Sequence, residues 1–187
     1  MSLSINEIKS GITVLVDGEV YVVVETQHVK PGKGAAFVRV KLRNLKNSNM
    51  QEKTFRGDEK IEEAFVEERR LQYQYVSGDM FNFMDQDNFE EIGIPEASVG
   101  DKKDLLKDNL EVMGYFYKNE TLNINLPNFI EFKIINTEPG IKGDTAKSGT
   151  KPAQVETGAT IQVPLFVTVG DVIKVDTRTR GYVERVT

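Results

Sequence analysis

Lys33 is the residue with the most chemistry to offer. It stands between two glycines in Lys30-Pro31-Gly32-Lys33-Gly34. A proline and two glycines within four residues compel a turn. With no side chains beside it, the lysine amine is unshielded at the tip of the hairpin that carries the turn. Three chemistries use a lysine in such a setting. A phosphate-binding loop needs G-x-x-x-x-G-K-[ST] opening a helix. Here Gly34 stands where a hydroxyl residue belongs and a strand pattern follows, which excludes it. A catalytic lysine needs a depressed pKa, usually obtained by burial, and an exposed tip works the other way. The third is a presented lysine, either inserted into a partner's pocket or modified covalently. An ordinary surface turn explains the same residues, so both readings stay open at this point.

The other candidates are fewer. Lys30, Lys33, Arg39, Lys41, Arg43 and Lys46 gather on the turn and the segment leaving it. Arg39, Lys41 and Arg43 alternate, so on a strand they share one face. Such a face suits phosphates, and it equally describes a solvated strand. The stretch Gly140 to Pro152 has glycines that let backbone N–H groups approach phosphates, together with Lys142, Lys147 and Lys151. A mobile surface loop is the alternative, since loops of this length are usually functional or disordered. The only histidine, His28, reads as a strand or loop residue with a satisfied hydrogen bond. Asp85-x-Asp87 resembles the start of a calcium loop, but Phe89 and Glu90 stand where a ligand and a glycine belong. The absence of cysteine excludes disulfides, thiolate nucleophiles and thiolate metal sites. Neither G-x-S-x-G nor G-x-G-x-x-G occurs. The chain is therefore not expected to be an enzyme or to hold a metal or cofactor.

The elements that must position these residues are short strands. Ile12, Val14 and Val16 alternate, Asp17-Gly18 is a type I′ turn signal, and Val20–Val24 returns. A second hairpin runs from Glu25–Val29 through the lysine turn into Ala36–Leu42. Thr54–Arg56 closes another strand, and residues 59–64 suit one helical turn. Phe65–Val76, Met80–Met84, Leu110–Tyr117, Glu120–Leu126 and Phe129–Asn136 read as strands. The stretch 101–109 is the best helix candidate. A polar loop spans Thr137–Pro152, and strands follow at Ala159–Val163, Pro164–Val169, Val172–Val175 and Tyr182–Val183. Strands at such spacing indicate small barrels or sandwiches.

The 187 residues are 39% hydrophobic and 28% charged, enough for a core. No apolar run approaches the roughly 20 residues that cross a bilayer, and the N-terminus has no signal-peptide pattern. A soluble cytoplasmic protein with no membrane partner is the expectation. The net charge of −5 is uneven. Residues 1–64 hold ten basic and nine acidic side chains, 65–127 hold six and thirteen, and 128–187 hold eight and seven. Salt limits each charge to about 10 Å at 0.1 M, so a basic face works even on an acidic protein.

Three blocks carry a resemblance. The first is Lys30-Pro31-Gly32-Lys33-Gly34-Ala35-Ala36-Phe37-Val38-Arg39-Val40-Lys41-Leu42-Arg43, followed by Glu52-Lys53-Thr54-Phe55. The second is Leu126-Pro127-Asn128-Phe129. The third is Pro139-Gly140-Ile141-Lys142-Gly143-Asp144-Thr145, then Lys151-Pro152-Ala153, Thr157-Gly158-Ala159, Val163 to Val167 and Ile173 to Arg178. In order and spacing the chain resembles the bacterial elongation factor P family over essentially its whole length. Gln27-His28-Val29 and Ala35-Ala36 look closest to Gram-positive members.

The resemblance implies an all-β protein of three small β-barrel domains in an L-shaped, transfer-RNA-like arrangement. These are an SH3-like (KOW-type) domain over 1–64, an acidic OB-fold domain over 65–127 and a C-terminal OB-fold domain over 128–187. It implies a translation factor, expected to be a monomer, that binds the ribosome between the peptidyl and exit sites. There it would contact ribosomal RNA and proteins, peptidyl-transfer RNA and the messenger, and favour peptide-bond formation at consecutive prolines. It implies that Lys33 stands at the position that, in many members, carries an extension attached by a lysine-modifying enzyme. Gly143, Asp144 and Thr145 would approach the messenger, and Tyr182 and Arg185 would face RNA. The rival readings are a generic RNA-binding module and a carrier protein with a swinging lysine. Carriers are about one domain long and flank their lysine differently.

Overall fold

The computed structural model describes residues 2–140 and 149–186. Its strands are β1 (Ser2–Leu3), β2 (Thr13–Val16), β3 (Glu19–Val29), β4 (Phe37–Asn44), β5 (Met50–Arg56), β6 (Ile61–Glu63), β7 (Glu67–Ser77), β8 (Met80–Asp85), β9 (Glu91–Pro95), β10 (Glu111–Tyr117), β11 (Glu120–Asn125), β12 (Phe129–Thr137), β13 (Thr150–Val155), β14 (Thr160–Pro164), β15 (Val172–Asp176) and β16 (Gly181–Val186). One short helix, α1 (Glu96–Val99), continues as a 3-10 turn over Gly100–Leu105. The strands form three sheets, ordered β1-β6-β2-β3-β4-β5, β11-β10-β7-β8-β9 and β14-β13-β12-β15-β16. The fold is all-β, as the strand patterns require. The chain divides into two compact units: Met1–Arg69 with Gly114–Ile124, and Arg70–Met113 with Asn125–Thr187.

The first sheet is built on alternation. On β4, Val38, Val40 and Leu42 point inward and are fully buried, while Arg39, Lys41 and Arg43 point outward. Each buried aliphatic contributes about 1.5–3 kcal/mol, which sets the register of the strand and so the face of its basic residues. The inward side joins Ile5, Ile8, Val14, Val16, Val23 and Phe55 in one core. Asp17 and Gly18 have φ of 52° and 83°, the turn their types demand. Lys118 and Asn119, at 49° and 66°, make the equivalent turn between β10 and β11.

The local patterns erred where tertiary pairing decided. Residues 59–64 are not helical: β6 pairs with β1 and β2, and buries Ile61. The helix lies earlier than 101–109, because Gly100 at φ 64° ends α1 and leaves only a 3-10 turn to follow. That turn buries Leu105 in the core of the third sheet, beside Ile130, Phe132 and Val175. Pro164–Val169 is not a strand. β14 stops at Pro164, Val167 N–H donates to the Pro164 carbonyl, and the Asp171 carboxylate accepts from Thr168 N–H. Pro152 lies inside β13 rather than in a loop. The β12 ladder ends at the Thr137–Ala153 pair, so no neighbour on that side asks Pro152 for an N–H. The alternation was silent on β1 and β9.

Candidate nucleic-acid interface

β3 and β4 pair from Tyr21–Asn44 to Val29–Phe37, and the lysine turn closes this long hairpin. Lys30 to Ala35 are all exposed. Gly34 has φ of 116°, a conformation that L side chains rarely adopt, so its glycine is a backbone requirement. Gly32 has no such φ, and a Cβ there would meet nothing within 4 Å. Its contribution is therefore the open space beside Lys33. Among the described residues Lys33 has no hydrogen-bond or ion-pair partner, and neither has Lys30. An exposed cation with no internal partner at a hairpin tip is available to something outside the fold.

The basic row below the tip divides in three. Arg39 sits opposite Gln27 on β3 and Thr54 on β5, and makes no ion pair with a described residue. Lys41 sits opposite Glu25 and Glu52, and its Nζ lies 2.8 Å from Glu25. The hydrogen bond to Glu25 and the charges of Glu25 and Glu52 push the Lys41 amine up from its ordinary value. Arg43 sits opposite Val22 and Met50, farther from the tip. The one-face expectation for these three holds, but Lys41 already has its counter-charge. Sequence reasoning missed Arg56, which faces Phe37 across β5 and shares the exposed face. Only the register could reveal it. Arg56, Thr54, Arg39, Phe37 and Ala35 line a groove of about 450 Å³ at the root of the turn.

His28 keeps the hydrogen bond expected of it, a ring nitrogen 3.3 Å from the Ile8 carbonyl oxygen. Asp85 is buried, and its carboxylate accepts from Asp87 N–H, while Asp87 pairs with Arg70. These two carboxylates build a turn. Among the described residues no three metal-ligating side chains cluster, and no described helix is long and apolar enough to cross a membrane.

The remaining candidates belong to the second unit. Gly143, Asp144 and Thr145 lie outside the described residues. The described residues on either side of them are held to each other: Lys151, itself buried, donates from Nζ to the Glu138 carbonyl at 2.6 Å, and Thr137 donates to the Pro152 carbonyl at 2.9 Å. A Cβ on Gly140 would meet the Leu165 carbonyl oxygen. Tyr182 is half-buried and packs on the core of the third sheet. Arg185 lies 3.7 Å from Asp171 and 5.5 Å from the centre of the exposed Phe166 ring. The Asp171 carboxyl is held below its usual range, first by the Thr168 backbone N–H.

Three family models match this chain in succession: the elongation factor P KOW-like domain over residues 4–61, its OB domain over 66–124, and its C-terminal domain over 130–185. An elongation factor P of Natranaerobius thermophilus is 54% identical over 97% of this chain and 96% of its own. One of Moorella thermoacetica is 51% identical over 98% and 99%. Among solved structures, a eukaryotic-type translation initiation factor 5A from Methanococcus jannaschii superposes with a TM-score of 0.55. It has 24% identity and covers 67% of this chain and 92% of its own, a likeness of fold alone.

Proposed function

The chain belongs to the elongation factor P family, and from that membership we propose that it acts in translation elongation, in the cytoplasm, by binding the ribosome between the peptidyl and exit sites and promoting peptide-bond formation at consecutive prolines. The observation that carries the reading is the partnerless Lys33 at an exposed hairpin tip, where Gly32 leaves open space beside it and Gly34 has φ of 116°. Proline is a rigid imino acid and a slow partner in peptidyl transfer. The ribosome supplies the catalyst, so the factor need only position peptidyl-transfer RNA. Alignment of reactants is worth up to about 7–11 kcal/mol in full intramolecular cases, and a fraction of that suffices here. No residue of this chain need act as an enzyme would.

Lys33 is the contact that does the positioning, with or without a covalent extension added to Nζ by a lysine-modifying enzyme. Arg39 and Arg43 hold RNA phosphates on the exposed face. Gly143, Asp144 and Thr145 reach the messenger, and Tyr182 and Arg185 face RNA from the third sheet. The generic RNA-binding and carrier readings account for the first sheet alone. They leave the second and third matched blocks without a purpose.

The test is a reconstituted translation reaction on a message encoding a run of prolines. Adding the full chain should raise full-length product several-fold and leave a proline-free message unchanged. The chain should also co-sediment with ribosomes carrying peptidyl-transfer RNA, less so as salt rises. An unchanged yield on the proline message would sink the proposal.

A further inference from the structure

We propose that Arg39 and Arg56 form a two-pronged clamp on one backbone phosphate of RNA at the root of the Lys33 turn, and that Lys41 takes no part in it. The inference deepens the reading above and rests on it for RNA as the partner. Phe37 faces Arg56, and Arg39 faces Thr54, across the β4–β5 ladder. Directly paired residues of an antiparallel ladder share a face, so these four make a two-by-two grid on the exposed side. The arginines occupy one diagonal, about 7–8 Å apart at the backbone. With Ala35, the same four residues line the groove of about 450 Å³. β5 is the edge strand of its sheet, so no further strand of that sheet covers the groove.

Neither arginine side chain has an ion-pair or hydrogen-bond partner among the described residues. A guanidinium presents forked donors that match phosphate oxygens, and it is less strongly hydrated than an ammonium. Two of them across one groove place donors on both sides of a single phosphate, and the Thr54 hydroxyl adds one between them.

The next row down the sheet behaves in the opposite way. Glu25, Lys41 and Glu52 stand side by side, two carboxylates to one ammonium. The hollow they line with Gln27 and Arg39 sets two carboxylates against two cations, so it offers an anion no net attraction. The acidic row therefore bounds the clamp on the side away from the tip. On the other side, Val29–Phe37 is the last ladder pair before the turn. A phosphate held in the clamp lies where the hairpin opens toward Lys33, so it orients the strand along which the lysine reaches.

The experiment titrates a fluorescein-labelled RNA hairpin into the full chain and follows anisotropy at several salt concentrations. Arg39→Gln and Arg56→Gln should each weaken binding about five- to tenfold, and the double variant should lower the salt slope by about one, since the pair serves one phosphate. Lys41→Gln should change affinity less than about twofold. Circular dichroism melts check that each variant is folded.

No measurable binding by the unsubstituted chain at about 50 mM salt overturns the clamp. So does an Arg56→Gln variant no weaker than Lys41→Gln, or a Lys41→Gln variant as weak as Arg56→Gln. Full displacement of the RNA by millimolar inorganic phosphate, at constant ionic strength, would assign the groove to a free anion and overturn it too. Polyproline synthesis is scored separately. A chain that rescues synthesis while Arg56→Gln binds RNA normally refutes the clamp and keeps the function. A chain whose clamp behaves as stated but that rescues nothing refutes the function and keeps the clamp.

Discussion

The lysine turn with its flanking strands and the C-terminal pair β15–β16 belong to segments with the same small excess of basic residues, yet their cations behave differently. Around the turn, Lys30, Lys33, Arg39 and Arg56 have no ion-pair partner among the described residues. On β15, β16 and the turn between them, Lys174 pairs with Glu184, Arg178 with Asp176, Arg180 with Asp104 and Arg185 with Asp171. Arg178 and Arg185 also lie over the exposed rings of Phe129 and Phe166. Charge in the second region helps hold its own surface together, whereas in the first, apart from the Lys41–Glu25 pair, these cations are left for something else. A segment's net charge cannot tell these apart, and the pairing can.

The comparison breaks most visibly at Lys33. Lys33→Ala should abolish the gain in polyproline synthesis while leaving the melting temperature within about 2 °C, because the exposed side chain has no hydrogen-bond or ion-pair partner among the described residues. Retained synthesis by the folded variant would end the role given to the tip. Mass spectrometry of the Lys33 peptide from the native host sharpens the same point, since an increment on that residue identifies the extension.

The two glycines separate shape from space. Gly34→Ala forces a left-handed conformation on an L residue, at about 1–2 kcal/mol, and should reshape the turn. Gly32→Ala meets open space and should cost less than about 0.5 kcal/mol in urea unfolding. Equal costs at both positions would mean that the turn is not held by the φ of Gly34.

A smaller effect contrasts Arg185 with Arg39. Arg185→Ala loses an ion pair and an aromatic contact and should destabilise the protein by about 0.5–1 kcal/mol. Arg39→Ala should leave stability within about 0.5 kcal/mol and show its loss in RNA affinity instead. Urea unfolding of both variants decides. The reverse pattern would erase the distinction between the two regions.

The smallest effect is in acid. The Asp176 carboxyl is held at about 2, first by the Arg178 side-chain hydrogen bonds, against about 3.9 for an unperturbed aspartate. A carboxyl depressed by folding favours the fold above the unfolded value, and the benefit is lost as pH falls through about 2. Carbon-detected NMR titration should find Asp176 near 2, moving toward about 4 in Arg178→Gln. A titration unmoved by that substitution would mean the pair is not formed in solution.

Much of this molecule is written locally. The alternation of Val38, Val40 and Leu42 with Arg39, Lys41 and Arg43 states both the strand and its basic face, because successive side chains of a strand point opposite ways. Pro31 and Gly34 state the turn, because proline presets its own φ and few other residue types adopt the φ of Gly34. The matched blocks state the family. What the sequence could not state is who stands beside whom. Arg56 joins Arg39, Glu25 neutralises Lys41, Ile61 becomes a buried strand residue and Leu105 enters the core of the third sheet only through pairings between distant segments. Cross-strand register sets these neighbours. Register depends on how whole hydrophobic faces fit together, so no single segment contains it.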